Sequence, residues 1–408
     1  MLPLMRHRIW GPSWAVCGAL LLAACTGQAP SDPTPAPPSV SASPAGPAEV
    51  ETPAASAPPS AVPQVTGVAV DATVGGFDRP WDVRFLPDGT PLVTERPGTI
   101  ATVVDGRRQV VAQVPGVIAQ GEGGLMGLAV DPDFGDNRQI YLCFAAGSGG
   151  QVADVRVVRF RVTEDLDGLT DATALVTGIP AGAGNRHLGC RVEIGPDRML
   201  WVTTGDAVLP AAPQDPRSRA GKVLRATLTG EPAPGNPGGR WDPYVFTLGH
   251  RNVQGLSFRP GDGAAFAVEH GTRCDDEINL LARGANYGWD PVGPGGQYAE
   301  SAPMTSPDAE GAVPAVWSSG CPTIAPSGGE FITGATWGSW VGALAVAVLK
   351  DEELMVVSLA GDEATGTASY LSGALGRLRT VRNAPDGSLW LTVDSSPGEL
   401  VRITPETE

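Results

Sequence analysis

The chain has 408 residues, of which 54 are Gly and 39 Pro, together nearly a quarter, and its net charge is −16. Gly and Pro are the poorest residues inside a helix, so a helical bundle is excluded; the acidic balance argues against a nucleic-acid partner, which needs a basic face. With 42% apolar residues and 10 Trp the chain still carries a large core, so the excess must serve many turns or one proline-rich segment.

At the N-terminus, Arg6 and Arg8 precede an eleven-residue apolar run, Trp14 to Ala24, too short for an ordinary transmembrane helix. The run ends Leu22-Ala23-Ala24-Cys25, and small residues before a Cys resemble the bacterial lipoprotein box. The expectation is an export signal over residues 1–25, with Cys25 lipidated as the mature N-terminus. A plain cleaved signal peptide is the alternative. Such a protein would sit on the extracytoplasmic face and meet the membrane through its lipid alone. Residues 26–64 hold 11 Pro, no aromatic residue and no Lys or Arg. A segment of that kind buries too little surface to offset its ordering entropy, so it reads as a semi-extended tether.

From residue 65 one pattern recurs: an apolar alternating run, a Pro-Asp or Pro-Gly turn, then a second apolar run. Trp81 to Leu86 meets Pro87-Asp88-Gly89, and Pro91 to Glu95 follows. The same order surrounds Pro132, Pro196, Pro260 and Pro385. The gaps between these prolines are 45, 64, 64 and 125 residues, so the last hides a unit. Trp340 to Leu349 fills the place. Its Ala/Leu content alone suggests a helix, but the repeat favours two strands about the Lys350-Asp351-Glu352-Glu353 turn. Six hairpin units with long connections predict an all-β fold: a six-bladed β-propeller of four-stranded antiparallel blades over residues 65–408. Val65 to Val74 would pair beside Glu399 to Ile403 and close the last blade. A β-sandwich array is the runner-up, but the units are longer than its strand spacing.

Four cysteines follow the signal: Cys143, Cys190, Cys274 and Cys321. Outside the cytoplasm an even count predicts disulfides, and three pairings are possible. Cys143–Cys190 with Cys274–Cys321 is expected, because each bridge would join successive units. No C-x-x-C spacing supports a metal site instead.

His187, His250 and His270 all lie at unit edges, where a propeller places its ligand-binding loops. Taken singly, each fits a structural role better than a catalytic one. Arg251 and Asn252 follow His250. Lys350, Arg377 and Arg379 sit at equivalent ends of later units, and Lys350 is one of only two lysines. Radial closure would bring these cations together, and Arg forks suit carboxylates or phosphates. Dispersed surface ion pairs are the bland alternative. The acidic turn Gly271 to Glu277 could hold Ca²⁺ but lacks EF-hand spacing. No glycine-rich phosphate loop and no G-x-S-x-G nucleophile motif is present.

The stretch Leu248-Gly249-His250-Arg251-Asn252-Val253-Gln254-Gly255-Leu256 carries a closer likeness. Asp275-Asp276-Glu277-Ile278-Asn279 and Gly284-Ala285-Asn286-Tyr287-Gly288-Trp289 extend it. Across residues 66–404 the chain resembles the pyrroloquinoline quinone (PQQ) dependent sugar dehydrogenases, which include soluble glucose, aldose sugar and sorbosone dehydrogenases. The resemblance implies oxidation of an aldose to its lactone with PQQ and Ca²⁺, and an electron acceptor it does not specify. It makes His187 the catalytic base and places Arg251 and Asn252 on the quinone, with Arg251 near the reactive carbonyl. Lys350, Arg377 and Arg379 would hold the cofactor. The carbonyls of Gly271 and Thr272 would ligate the active-site Ca²⁺, and Glu277 and Tyr287 fall where some members hold a second Ca²⁺. Three positions depart from the family pattern. Thr272 replaces Pro, Glu122 stands at a sugar-contacting Gln, and Thr380 replaces an Asp, which would loosen an ion pair beneath the arginines. A Ca²⁺-dependent lactonase on the same fold, or a non-catalytic glycan- or partner-binding propeller, are the competing readings; the lactonase would not need Lys350 with three arginines.

Overall fold

A computed structural model describes residues 62–408. Cys25, the apolar run before it and the proline-rich segment through residue 61 lie outside the described residues. The first strand, β1 (Val65–Phe77), precedes blade one: β2 (Pro80–Phe85), β3 (Pro91–Glu95), β4 (Thr99–Val104) and β5 (Arg107–Gln113). Blade two is β6 (Leu125–Val130), β7 (Gln139–Ser148), β8 (Gln151–Val162) and β9 (Leu169–Ile179). Blade three is β10 (Val192–Ile194), β11 (Leu200–Thr203), β12 (Lys222–Ala226) and β13 (Val245–Leu248). Blade four is β14 (Val253–Phe258), β15 (Ala265–Glu269), β16 (Glu277–Leu280) and β17 (Trp317–Ser318). Blade five is β18 (Pro326–Phe331), β19 (Leu344–Val348), β20 (Glu353–Ala360) and β21 (Glu363–Tyr370). The last sheet joins β22 (Leu378–Asn383), β23 (Leu389–Val393) and β24 (Gly398–Thr407) to β1. Every blade is four-stranded and antiparallel, as the repeat predicts.

Closure occurs as expected. β1 pairs antiparallel with β24, from Val65 opposite Thr407 to Phe77 opposite Gly398. Docking begins slightly earlier, because Pro63 O accepts the Ser339 N–H at 2.9 Å. The hidden unit is a strand pair, β19 and β20, around the Lys350 turn. It differs from the other five hairpins in phase. Those are first and second strands of a blade; this one is second and third. The inner strand of blade five, Pro326-Ser327-Gly328-Gly329-Glu330-Phe331, shows no apolar alternation in sequence. Its glycines answer to packing: a Cβ on Gly328 would lie 2.9 Å from Thr380 Cα of the next inner strand.

The core lies between blades. Residues such as Leu92, Leu142, Val202, Val268, Val346 and Leu391 are fully buried, each worth about 1.5–3 kcal/mol when removed from water. The six inner strands all run the same way along the central channel. One mouth therefore gathers their N-terminal ends (Trp81, Met126, Gly189, Asn252, Arg379), and the other their C-terminal ends. Between the mouths the channel is filled with charge. Asp82, fully buried, faces Arg191 at 2.7 Å and Arg382 at 3.3 Å; Arg382 also meets Glu193 at 2.7 Å and Glu330 at 2.9 Å. Burial alone would raise the Asp82 carboxyl, but Arg191, Arg382 and Arg84 reverse this and hold it at about 2. Such paired charge adds little net stability but fixes which strands meet.

Cys143 bridges Cys190, and Cys274 bridges Cys321, as expected and each across 47 residues. The first joins β7 of blade two to the lead into blade three; the second departs from the expected link between units and ties the β15–β16 turn of blade four to the connection that follows β17. A loop of that length makes each bridge worth about 4 kcal/mol on the chain-entropy account. The Cys143–Cys190 pair is fully buried, whereas Cys321 is exposed. Mild reduction followed by iodoacetamide should label Cys274 and Cys321 and spare the other two, as read by peptide mapping; equal labelling of all four would contradict this arrangement.

Candidate active site

His187 lies just before β10, in the left-handed backbone region at φ 52°. Its backbone N–H donates to Glu122 Oε2 at 2.8 Å. Its ring is buried, 2% exposed, and Nδ1 lies 3.0 Å from Asp206 Oδ1. A carboxylate only accepts, so Nδ1 carries the hydrogen and Nε2 is left with its lone pair. Arg186 Nη2 approaches that nitrogen at 3.4 Å. Asp206, at the end of β11, is fully buried. It also accepts from Val208 N–H at 2.8 Å, Trp289 Nε1–H at 2.7 Å and the Tyr298 hydroxyl at 2.7 Å. Behind it Lys222, the second lysine, is fully buried and donates to the carbonyls of Ala212, Pro213 and Ala220 at 2.6–2.9 Å. It clamps the 206–221 connection to β12.

Glu269 organises the His250–Asn252 turn. It accepts the backbone N–H of Arg251 and of Asn252, and the His250 Nδ1–H at 2.8 Å. His250 Nε2 accepts from the Thr247 hydroxyl at 2.9 Å, and the ring stacks on Tyr287 at 4.7 Å. This histidine is fully spent on structure. The Arg251 fork reaches the His270 carbonyl at 3.2 Å and the Glu300 carboxylate. Asn252 Oδ1 accepts from Gly189 N–H at 3.1 Å and from Gln254 at 3.0 Å.

Beside these groups is a cavity of about 560 Å³ at the N-terminal mouth, within the usual size of a small-molecule site. Arg79, Arg96, Arg377 and Arg379 line it against two carboxylates, Glu122 and Asp394. The cavity is thus cationic within an acidic protein. Arg379 meets Asp394 at 2.5 Å and Gln254 at 3.2 Å, and its buried Nε has no partner. Arg379, Arg377 and Arg96 hold the Asp394 carboxyl below its usual range although burial opposes them. Asn252 and His270 also line the cavity. Burial first, then Arg379, Arg251 and His187, push His270 well below the ordinary histidine range, so it is neutral; its Nε2 is buried without a partner. Lys350 stands outside this lining. Its ammonium donates to the Thr323 carbonyl, while its neighbour Leu349 forms part of the wall. Arg251 is likewise outside the lining, turned toward Glu300.

The Gly271–Asp276 turn is tied down twice. Cys274 bridges Cys321, and buried Asp276 accepts from Gly271 N–H at 2.7 Å, Thr323 Oγ1 at 2.7 Å and Ile324 N–H at 2.6 Å. A Cβ on Gly271 would lie 2.2 Å from the Cys274 carbonyl, so only Gly fits. Among the described residues no group donates a hydrogen bond to the carbonyl of Gly271 or Thr272. Two unclaimed carbonyl oxygens in a rigid turn suit a hard cation, although the described residues contain no cluster of three or more His, Cys, Asp or Glu able to hold a metal. Glu277 lies deeper. Burial and the nearby Glu269 carboxylate push it up to about 8, so it holds either a proton or a cation. The Tyr287 hydroxyl is committed to Leu280 O at 2.5 Å and Ala282 N–H at 2.9 Å, which leaves only its backbone carbonyl for a metal.

Thr380 leaves no gap. Its hydroxyl donates to Trp81 O at 2.8 Å and accepts from Arg191 at 3.0 Å, and Arg191 takes its countercharge from Asp82. Sequence reasoning missed Asp206 and Tyr298, and it met Trp289 only as the end of the family stretch, without a role. Asp206 is one of 44 acidic residues, and its Thr204-Gly205-Asp206 context carries no spacing to single it out. Tyr298 comes from the long connection between β16 and β17, where no motif in the sequence singles it out.

A His–Asp pair whose second ring nitrogen meets only Arg186 thus stands at the mouth of a closed propeller, beside an arginine-lined cavity. The family model described as glucose/sorbosone dehydrogenase matches residues 77–402. An aldose sugar dehydrogenase of Escherichia coli is 31% identical over 352 residues, 83% of this chain and 93% of that one. The structure of PQQ-bound aldose sugar dehydrogenase from Streptomyces coelicolor is 34% identical, with a TM-score of 0.71 over 84% of this chain and 100% of that chain. The soluble aldose sugar dehydrogenase of Escherichia coli in its apo form has a TM-score of 0.76 at 30% identity, over 83% and 100% of the two chains. The chain belongs to the glucose/sorbosone dehydrogenase family, whose members are oxidoreductases.

Glu277 generates a pH test. Its folded carboxyl keeps a proton that the unfolded chain has already released, so in chelator its contribution to stability should fall from about pH 5 to about 8, by at most about 1.4 kcal/mol per pH unit. Neutral His270 and buried Lys222 act in the opposite sense, so the effect is read as a difference: relative to wild type, Glu277→Gln should gain thermal stability as pH rises through this window. Wild-type and Glu277→Gln profiles that run parallel from about pH 5 to about 8 would contradict the burial of an unpaired carboxyl here.

Proposed function

We propose that this protein oxidises aldoses at the anomeric carbon to lactones, with PQQ and Ca²⁺ as cofactors. The observation that carries the reading is the surplus of cations around the cavity next to the His187–Asp206 pair. PQQ bears three carboxylates. Arg377, Arg379, Lys350 and Asn252 would hold it, and the unclaimed carbonyls of Gly271 and Thr272 would hold the Ca²⁺. When bound, PQQ would supply a two-electron hydride acceptor and Ca²⁺ a Lewis acid.

The chain's own residues supply the rest. His187 Nε2 takes the proton of the anomeric hydroxyl, since Nδ1–H is committed to Asp206. Asp206 stays ionised and stabilises the imidazolium that forms. Arg251 offers its fork to developing negative charge once Glu300 is displaced. Glu122, fastened to the His187 N–H, presents a carboxylate at the cavity wall that can accept from a sugar hydroxyl. Attachment through a lipid on Cys25 would keep this chemistry at the extracytoplasmic face of the cell membrane, with the acceptor of the electrons reached from there.

PQQ and Ca²⁺ added to the apoprotein, followed by glucose and an artificial dye, test the reading. Glucose should abolish the quinone absorbance and the dye should be reduced. His187→Ala should retain cofactor binding and lose turnover by about 10²–10⁴-fold. No spectral change and no dye reduction with any aldose would overturn the dehydrogenase reading.

A further inference from the structure

Asp206 receives four hydrogen bonds, two on each oxygen. His187 Nδ1–H at 3.0 Å and Val208 N–H at 2.8 Å meet Oδ1; Trp289 Nε1–H and the Tyr298 hydroxyl, both at 2.7 Å, meet Oδ2. His187 and Val208 belong to the connections before β10 and after β11; Trp289 and Tyr298 both come from the long connection between β16 and β17. The Tyr298 oxygen lies 3.4 Å from His187 Nδ1, beyond the 3.0 Å contact that Nδ1–H makes with Asp206. The two rings face each other at 6.3 Å.

We infer that Tyr298 is a positioning residue for the proposed sugar oxidation: its hydroxyl holds Asp206 and thereby sets how readily His187 takes and keeps a proton. The inference rests on the reading of His187 as the base. A carboxylate shares its negative charge among its donors, and each donor weakens what it offers the others. With Tyr298 in place, Asp206 binds the imidazolium less tightly than a carboxylate with three donors would. The base is then tempered, so it can release the proton after each turnover. Burial and the adjacent Asp206 carboxylate push the Tyr298 phenol above its ordinary range, so it remains a donor.

Other charges also face the pair. Glu122 meets the His187 backbone, Arg186 reaches Nε2, and His270 lies within electrostatic range of the ring. Arg251 and Glu300 stand beside Tyr298, and Lys222 stands behind Asp206. Tyr298→Phe removes one oxygen and leaves all of these in place.

The full chain has four histidines, so ¹⁵N-histidine NMR of the cofactor-free protein can follow His187 alone. In Tyr298→Phe the titration midpoint of His187 should move to higher pH by about 0.5 unit. In the cofactor-loaded enzyme the acid limb of kcat should move the same way. 3-Fluorotyrosine at position 298, a stronger donor of nearly the same shape, should move the midpoint to lower pH, which keeps the test open if Tyr298→Phe fails to fold. A purely structural loop contact would move neither. A midpoint unchanged in the folded variants overturns the inference. The NMR arm needs no sugar oxidation, so it separates this outcome from failure of the dehydrogenase reading: activity without a shift removes Tyr298 from its role, whereas a shift without activity removes the substrate.

Discussion

The pairing of β1 with β24 is the constraint on which the rest depends. It places residues from the two ends of the domain in one sheet and turns a row of blades into a ring. Only in a ring can the Thr380 hydroxyl donate to Trp81 O, or the Arg379 guanidinium lie 5.7 Å from the Trp81 ring, across about 300 positions of sequence. The cavity wall is made of such pairs. Blade one supplies Trp81 and Arg96, the last blade supplies Arg377, Arg379 and Asp394, and blades three and four supply Gly189, Asn252 and His270. An open array of the same blades would have the same local hairpins and no site.

Closure alone would leave a hole along the axis. The channel is filled by Asp82, Arg191, Arg382, Glu193 and Glu330 rather than by apolar side chains, and each charge draws its partner from a different blade. This ties the inner strands into one register. It also divides the channel into a cationic mouth and a mixed-charge mouth, so the polar interior that fixes the fold also shapes the field at the site. The site follows the same logic at smaller scale. Buried carboxylates serve as junctions: Glu269 gathers the His250–Asn252 turn, Asp276 gathers the Gly271 turn with the 323–325 segment, and Asp206 gathers His187, Trp289 and Tyr298.

Most of the fold was legible because the physics that makes a blade is local. Pro-Asp and Pro-Gly turns between alternating runs count the units, and the 125-residue gap reveals one more. The inner strand of blade five escaped notice because its sequence answers to a neighbour, Thr380, and not to its own alternation. The disulfide pairing was legible from the order of the units, since it joins cysteines 47 residues apart. At the site, His187, Arg251, Asn252 and the 271–272 turn were visible through family resemblance. The cavity itself was visible only as a hope that distant arginines converge. Trp289 was visible only as the end of the family stretch, without a role, and Asp206 and Tyr298 were not visible at all, since separate connections meet there and no spacing in the chain encodes that meeting. Lys222 shows the converse: its rarity as one of two lysines reflects no chemistry, since its ammonium is committed to three backbone carbonyls.

The central claim is that the C1–H bond of an aldose breaks at this mouth as His187 takes the hydroxyl proton. Single-turnover reaction of the PQQ- and Ca²⁺-loaded enzyme with glucose deuterated at C1 tests it most directly. The account predicts that loss of the quinone absorbance slows several-fold with deuterium at C1 and is unaffected by deuterium at C6. Absorbance that never changes with sugar, or that responds to the label at C6 and not at C1, would contradict it.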